Sequence, residues 1–99
     1  MIKYKDNYPK KMLYYTYILK SKKDGKLYFG STKDLKSRLA QHNKGLSTNT
    51  KGNGPFYIIY YEACLSEEKS RLRELYLKSD VGKIYLKNRL GTSYLYKVL

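Results

Sequence analysis

The dipeptide Asp24-Gly25 lies between two runs of β-forming residues, and this feature most constrains the fold of the chain. Residues 14–20 and 26–30 are rich in tyrosine and aliphatic side chains, with turn-forming residues between them. Asp-Gly at such a junction is typical of a β-hairpin, because glycine accepts the positive φ that tight turns require. We therefore expect the folded part of the chain to begin with two antiparallel strands.

A first helix is predicted over residues 33–43. Ser31 and Thr32 supply hydroxyl N-caps before it, and Gly45 lies just beyond its end. The following segment, 44–55, contains glycine, serine, threonine, asparagine and two lysines, with almost no apolar side chains. A loop of this length is usually functional or mobile, and its lysines favour a position near a polyanion.

The second half of the chain contains one strand signal and two helix signals. Residues 57–61 form a continuous apolar run, which is typical of a central strand. Ser66 precedes a helix predicted over 67–78, with glutamates in its first turn and a lysine in its last, as the helix dipole favours. Gly82 interrupts the pattern before a shorter helix predicted over 83–89.

The predicted order β-β-α-β-α-α defines an α+β fold, in which a small antiparallel sheet of three strands is flanked by helices. A chain of 99 residues can bury one core. We expect one domain over residues 12–90, preceded by a flexible basic lead over 1–11. The tail over 91–99 is expected either to pack on the domain or to be disordered.

The net charge of +13 comes from 21 basic and 8 acidic residues and exceeds what solubility requires of so short a chain. It indicates a polyanionic partner. Seventeen of the basic residues are lysines, which favours binding to a nucleic-acid backbone over reading of bases. The sequence has no apolar stretch near the roughly 20 residues of a membrane span and no signal-peptide pattern, so we expect a soluble cytoplasmic protein without a membrane partner.

Cys64 and His42 are the only residues of their types. A single cysteine excludes an internal disulfide, and the two residues together are too few for a structural zinc site. Any bound metal is therefore expected to be a hard cation held by oxygen atoms.

Leu35, Arg38, Leu39 and His42 lie on one stripe of the first predicted helix. If the leucines face the domain, Arg38 and His42 face it as well. A guanidinium held there needs a carboxylate, a phosphate or carbonyl groups to satisfy its five donors. An anion-binding site and a structural ion pair both remain open at this point.

Each candidate residue also has a structural interpretation. Arg38 could pair with Glu62 or Glu74. A single histidine on a helix is more often structural than catalytic, but the i+4 spacing places His42 beside Arg38 and so favours a functional interpretation more than an isolated histidine would. Tyr17 and Tyr28 lie on the predicted hairpin strands, where core packing alone explains tyrosines.

Helical periodicity predicts a surface position for Glu74. On the helical wheel for residues 66–79, Leu72, Leu75 and Tyr76 lie on the side opposite Glu74, so these apolar residues are expected to face the core. Salt bridges to neighbouring basic residues would then make Glu74 an ordinary surface residue.

The order of these residues resembles the GIY-YIG nuclease superfamily. Residues 16–18, Thr-Tyr-Ile, correspond to the first triplet, and residues 28–30, Tyr-Phe-Gly, correspond to the second. The family's later catalytic positions follow in order at Arg38, His42 and Glu74. The resemblance covers roughly residues 13–90 and is greatest to short single-domain bacterial members related to the N-terminal domain of an excision-repair nuclease.

The resemblance implies a metal-dependent endonuclease that hydrolyses phosphodiester bonds in DNA, with RNA as a further candidate substrate. Cutting is expected to follow nucleic-acid structure more than sequence, in DNA repair or recombination, and a monomer is assumed. The implied catalytic residues are Tyr17, Tyr28, Arg38, His42 and Glu74. The expected nucleic-acid contacts are Lys33, Lys36, Lys44, Lys51 and Asn88.

The resemblance also implies a role for each catalytic residue. Glu74 would be the one protein ligand of Mg²⁺ or Mn²⁺, and Arg38 would neutralise charge on the non-bridging oxygens. Tyr28 would orient or deprotonate the attacking water, or pass its proton to His42, and Tyr17 would hydrogen-bond within this network.

Three positions depart from the family pattern. Thr16 replaces glycine in the first triplet, and Phe29 replaces isoleucine in the second. A lysine found in some members is Ser31 here, which leaves Lys33 as a candidate substitute. Two alternatives are a nucleic-acid-binding module without catalysis and a structural protein of a ribonucleoprotein.

Overall fold

The computed structural model describes residues 12–92. This part of the chain contains three strands and three helices in the order β-β-α-β-α-α, so the predicted α+β class is confirmed. The strands are β1 (Tyr14–Ser21), β2 (Leu27–Thr32) and β3 (Phe56–Cys64), and the helices are α1 (Leu35–Asn43), α2 (Glu67–Lys78) and α3 (Asp80–Leu90). The predicted basic lead, 1–11, and the predicted tail beyond residue 92 lie outside the described residues.

The three strands form one antiparallel sheet in the order β2-β1-β3. β1 is therefore the central strand, and the prediction of a central position for β3 was wrong. Residues 16–19 of β1 are all buried, whereas Tyr57 and Tyr61 of β3 are exposed. A tyrosine ring can pack while its hydroxyl reaches water, so a tyrosine-rich run suits an edge strand as well as a central one.

The two faces of the sheet carry separate parts of a small core. Ile18 packs with Leu77 of α2 on one face, whereas Tyr17 and Leu19 pack with Phe56 on the other face, which α1 covers. The alternation of side chains along β1 produces this division. Among the described residues, every helix is too short or too polar to cross a membrane.

Helix α1 begins at Leu35, later than predicted, and its N-cap is Asp34 instead of Ser31 or Thr32. The Asp34 carboxylate accepts a hydrogen bond from the Ser37 backbone amide at 3.1 Å. The two hydroxyl residues continue β2, where they pair with β1. Aspartate caps helices as well as serine does, so Asp34 became the cap once Ser31 and Thr32 were paired in the sheet.

Gly82 lies in the first turn of α3, so the prediction that it interrupts the helix was wrong. Ser79 is the C-cap of α2 and the N-cap of α3, and its side-chain oxygen accepts from the Gly82 amide at 3.2 Å. A Cβ at Gly82 would overlap the carbonyl oxygen of Tyr76 and the Cα of Leu77. Glycine here permits close packing between two consecutive helices.

Candidate active site

A cavity of about 430 Å³ opens where β1 and β2 meet α1, α2 and the loop 44–55. All five residues predicted to be catalytic line it: Tyr17, Tyr28, Arg38, His42 and Glu74. The other lining residues are Leu27, Phe29, Gly30, Ser31, Ser47, Asn49, Thr50 and Lys78. The fold therefore brings together residues from five separate segments, while their catalytic roles stay a prediction.

Tyr17 reaches the cavity because the residue beside it on β2 has no side chain. Its register partner is Gly30. A Cβ at Gly30 would overlap the hydroxyl and ring of Tyr17. The glycine thus leaves room for the phenol to cross the neighbouring strand toward α1.

Helix α1 presents Arg38 and His42 to the cavity, as the predicted stripe requires. Leu35 and Leu39, on the same side of the helix, pack against the sheet beside Tyr17. His42 is 6% exposed and Arg38 is half-buried. The apolar spacing of α1 therefore identified the inward face correctly.

The Arg38 guanidinium has only neutral partners among residues 12–92. It donates to Tyr17 Oη at 3.4 Å, Gln41 Oε1 at 2.9 Å and Ser47 Oγ at 3.3 Å. The ion pairs considered from the sequence do not form, because Glu62 bonds Arg73 and Glu74 bonds Lys78. A half-buried cation without a carboxylate partner can bind an anion from outside the protein.

Both ring nitrogens of His42 have partners. Nε2 lies 3.0 Å from Tyr17 Oη, and Nδ1 lies 2.7 Å from Thr50 Oγ1. The Thr50 hydroxyl also lies 3.5 Å from the Ser47 carbonyl oxygen. A proton on Nδ1 lets that hydroxyl accept from His42 and donate onward, and we assign this tautomer. Nε2 then accepts the hydrogen bond from the Tyr17 hydroxyl.

Burial keeps Tyr17 and His42 neutral. It raises the pKa of the Tyr17 phenol above its ordinary value, and the hydrogen bond and charge of Arg38 only partly offset this effect. Burial lowers the pKa of the His42 imidazole, and the positive charge of Arg38 lowers it further. Near pH 7 the phenol therefore keeps its proton, and the imidazole is free to accept one.

Glu74 lies on the inward side of α2, so its predicted surface position was wrong. Ser70 and Leu77 of the same helix are 1% and 0% exposed, whereas Leu72 and Leu75 are 50% and 63% exposed. The helix therefore presents to the sheet the side that carries fewer apolar residues.

Thr16 explains this orientation of α2. Its hydroxyl donates to the Ser70 carbonyl oxygen at 2.9 Å and lies 3.0 Å from the Ser70 hydroxyl, with both residues buried. Buried hydroxyls need partners, so this polar pair outweighs the number of apolar residues on the opposite side. The helix bounds and the Ser66 cap are as predicted. Thr16 is also the residue that replaces glycine in the first triplet.

The Glu74 carboxylate has two protein donors. Ser31 Oγ donates to Oε1 and Lys78 Nζ donates to Oε2, each at 3.0 Å. The described residues contain no group of three His, Cys, Asp or Glu that could hold a metal. One carboxylate with free lone pairs fits a hard cation such as Mg²⁺, which keeps most of its water ligands, and does not fit structural zinc.

Tyr28 enters the cavity from β2. Its ring meets the Phe56 ring edge-on, with centroids 5.4 Å apart. Within residues 12–92 no hydrogen bond reaches its hydroxyl, which leaves that group available to a water or a substrate. The proposed recipient of its proton, His42, hydrogen-bonds Tyr17 instead.

The predicted nucleic-acid contacts lie outside the cavity. All five of them are exposed: Lys33, Lys36, Lys44, Lys51 and Asn88. Lys33 Nζ lies 5.8 Å from the centroid of the Tyr14 ring, so Lys33 does not take the place of the lysine missing at Ser31. Contact of these five residues with nucleic acid stays a prediction.

Ser47, Asn49, Thr50 and Lys78 line the cavity without having been assigned to the site from the sequence. Lys78 could have been found, because it lies at i+4 from Glu74. The other three lie in the loop 44–55, which has no periodicity that distinguishes an inward side.

The chain is similar to known proteins over most of its length. The family model of the GIY-YIG catalytic domain matches residues 13–89. A UPF0213 protein of Clostridium perfringens (strain 13 / Type A) is 40% identical over 65 residues, which cover 65% of this chain and 69% of that protein. A UPF0213 protein of Staphylococcus saprophyticus is 36% identical over 67 residues, which cover 67% of this chain and 80% of that protein. The solution NMR structure of a UPF0213 protein from Bacillus halodurans has 35% identity and a TM-score of 0.49, covering 84% of this chain and 90% of that one.

Proposed function

Because the chain belongs to the GIY-YIG catalytic domain family, we propose that it is a metal-dependent endonuclease that hydrolyses phosphodiester bonds in DNA. The observation that carries this proposal is the Arg38 guanidinium, which has no carboxylate partner within residues 12–92 and shares a cavity with Glu74. Such a cation binds an anion, and the net charge of +13 favours a polyanion.

Arg38 would neutralise the charge that grows on the non-bridging oxygens of the phosphate. Its fixed charge and planar fork suit two oxygens at once. Contacts with Tyr17, Gln41 and Ser47 hold the guanidinium in place without neutralising it. It therefore needs little rearrangement when the transition state forms.

The attacking water requires a group that orients it and a group that takes its proton. The Tyr28 hydroxyl, which has no partner within residues 12–92, would orient the water. As the water oxygen bonds to phosphorus, its proton would pass to Tyr17 Oη, and Tyr17 would release its own proton to His42 Nε2, 3.0 Å away. The bond between phosphorus and the 3′ oxygen then breaks, and solvent protonates that oxygen. Neutral His42 is suited to this role because its pKa is lowered.

Glu74 would hold Mg²⁺ or Mn²⁺, with waters and phosphate oxygens as the remaining ligands. Such a cation would supply the positive charge that stabilises the leaving 3′ oxygen. Ser31 and Lys78 orient the carboxylate, each from 3.0 Å. Lys78 also adds a second positive charge to the cavity that Arg38 lines.

We further infer that the protein contacts the sugar-phosphate backbone of DNA more than the bases. Lysines far outnumber arginines, and a lysine ammonium contacts phosphates without distinguishing bases. Affinity should therefore fall steeply with salt. Cutting would follow DNA structure more than sequence, which suits repair or recombination.

A nucleic-acid-binding module without catalysis is the second candidate, because both Glu74 oxygens already accept protein hydrogen bonds. Incubation with plain, nicked and branched DNA and with RNA, in Mg²⁺, Mn²⁺ or EDTA, separates the two functions. We expect cutting that needs metal and is lost in Glu74→Ala and Arg38→Ala.

The control variants are Glu68→Ala and Arg71→Ala, whose side chains are exposed on α2 outside the cavity. Both should cut like the wild type. Metal-dependent cutting that survives Glu74→Ala and Arg38→Ala would overturn the site. Binding without cutting under every condition would establish the module.

A further inference from the structure

A second groove, of about 500 Å³, lies between α1 and the sheet, and neither Arg38 nor His42 lines it. Its walls are formed by Tyr15, Ile58 and Tyr61 of the sheet and by Leu35 and Leu39 of α1. None of these residues lines the cavity described above. The groove is therefore a separate surface that shares one helix with the active site.

Tyr61 is the most exposed aromatic residue that lines this groove. It is 56% exposed, and its ring lies 6.0 Å from the Tyr15 ring at an interplanar angle of 55°. Tyr15 packs beside this ring, and both residues line the groove. A supported and exposed aromatic ring of this kind is a stacking surface for a nucleobase.

The rim of the groove is positively charged. Lys33 and Lys36 line it and are exposed. The Lys33 ammonium lies 5.8 Å from the centroid of the Tyr14 ring, outside the groove, so this exposed side chain must turn to contact a phosphate there. Asp34 also lines the groove, but its carboxylate caps α1 and accepts hydrogen bonds from the amide and the hydroxyl of Ser37. These hydrogen bonds lower the pKa of the Asp34 carboxyl, so it keeps its negative charge. The two lysines outnumber this one carboxylate, and the rim therefore keeps a net positive charge that complements a phosphate backbone.

The groove and the active site adjoin within the sheet. Tyr61 on β3 pairs in register with Tyr17 on β1, so the two side chains project from the same face of neighbouring strands. Neighbouring strands lie about 5 Å apart. The cavity lies on the β2 side of β1 and the groove lies on the β3 side, so a nucleic-acid strand that contacts both must cross α1.

We propose that this groove holds one unpaired base of a DNA strand, stacked on Tyr61, while the flanking phosphates contact Lys33 and Lys36. The inference rests on the proposed function and adds the class of substrate to it: DNA that has an unpaired strand beside a duplex, as in a fork. A base inside a duplex already stacks on its neighbours and must leave the helix before it can use such a surface.

The test measures binding in EDTA, so that cleavage does not interfere. Forked DNA with 2-aminopurine in the unpaired arm is compared with a blunt duplex of the same sequence. Tyr61→Phe keeps the ring, and Tyr61→Ala removes it. The matched control is Tyr57→Ala, which removes another exposed tyrosine from β3, one whose ring lies 5.8 Å from Lys22 Nζ and outside the groove.

The wild type, Tyr61→Phe and Tyr57→Ala should bind the fork more tightly than the duplex and quench 2-aminopurine. Tyr61→Ala should lose the quenching and bind the fork about 10-fold more weakly, with duplex binding unchanged. Equal behaviour of Tyr61→Ala and Tyr57→Ala would overturn the inference. So would a change in sedimentation confined to Tyr61→Ala, because the groove would then join two copies of the chain.

The proposed function fails separately from this inference. If the wild type cuts or binds DNA but Tyr61→Ala retains the preference for forks, the groove assignment alone is wrong. If the wild type binds neither the forked DNA nor the blunt duplex, the proposed function and the groove assignment are both wrong.

Discussion

Lys78 follows Glu74 by one turn of α2, and its Nζ donates a hydrogen bond to Glu74 Oε2 at 3.0 Å. The family resemblance implies a lysine in some members where this chain has Ser31, and the sequence left Lys33 as a candidate substitute. Lys33 does not line the cavity, whereas Lys78 does. The positive charge therefore enters the site from the helix that carries Glu74.

Lys78→Met should lower metal-dependent cutting by about 10-fold or more, because it removes a charge beside the phosphate and frees one Glu74 oxygen from its protein donor. The fold should persist, since the pair is partly exposed and contributes little to stability. Cutting rates beside the exposed control Lys69→Met provide the measurement. A faster rate in Lys78→Met would show that the lysine competes with the metal, contrary to this prediction.

Gly30→Ala should destabilise the protein by about 1–3 kcal/mol and abolish most of its activity, because the new methyl group would overlap the Tyr17 phenol. Gly54→Ala is the matched control, since a Cβ there meets Phe56 only at ordinary contact distance, 3.5 Å. Urea unfolding measures both variants. Equal stability of Gly30→Ala and Gly54→Ala would show that Tyr17 can move without cost.

Predictions from the sequence were reliable where one local signal determines the structure. Asp24-Gly25 identified the hairpin, and the spacing of Leu35 and Leu39 identified the inward face of α1. Ser66 identified the start of α2. In each case the deciding residues lie within one turn or one helix of each other.

Predictions were wrong where a contact between residues far apart in the sequence determines the orientation of an element. Thr16 lies 54 residues from Ser70 in the chain, and their hydrogen bond turns α2 so that Glu74 faces inward although leucines lie opposite. Thr50 reaches His42 from a loop without periodicity. Helical spacing predicts neither of these contacts. The assignment of Glu74 to the site therefore rested on the family resemblance, and the loop residues were not predicted.

The stability of the protein should rise with pH through the titration of His42. Its pKa in the folded state is below the ordinary value of 6.5, which also describes the unfolded chain. Between these two values the unfolded state binds more protons, so stability is lost as the pH falls below about 6.5. Urea unfolding of the wild type and of His42→Gln across this pH range provides the measurement. The free energy of unfolding of the wild type should rise more steeply with pH than that of His42→Gln.

The same titration can be followed directly, because the chain contains one histidine. The His42 ring proton gives a single NMR resonance, whose midpoint should lie below 6.5. Cutting should decline at low pH with the same midpoint, since protonated His42 cannot accept a proton. A midpoint at or above 6.5 would contradict both the burial argument and the role of His42 as proton acceptor.

Arg38 and Arg73 provide a matched pair that separates a functional cation from a structural one. Arg73 Nε lies 2.6 Å from Glu62 Oε1, and its guanidinium lies 4.8 Å from the ring centroids of Tyr76 and Tyr85. The protein therefore supplies both a counter-ion and stacking partners to Arg73. It supplies only neutral oxygens to Arg38.

Replacement of each arginine by methionine keeps the apolar stem and removes the charge. Arg73→Met should destabilise the protein by about 1–2 kcal/mol, because Glu62 loses its counter-ion and keeps only the hydrogen bond from Tyr60, and two rings lose a stacking cation. Arg38→Met should change stability by less than about 1 kcal/mol, yet lower cutting by about 100-fold or more. Urea unfolding and cutting rates, measured on both variants, check the contrast. If Arg38→Met is as unstable as Arg73→Met and loses activity only through unfolding, Arg38 is structural, and the cavity loses the residue that best indicates a phosphate.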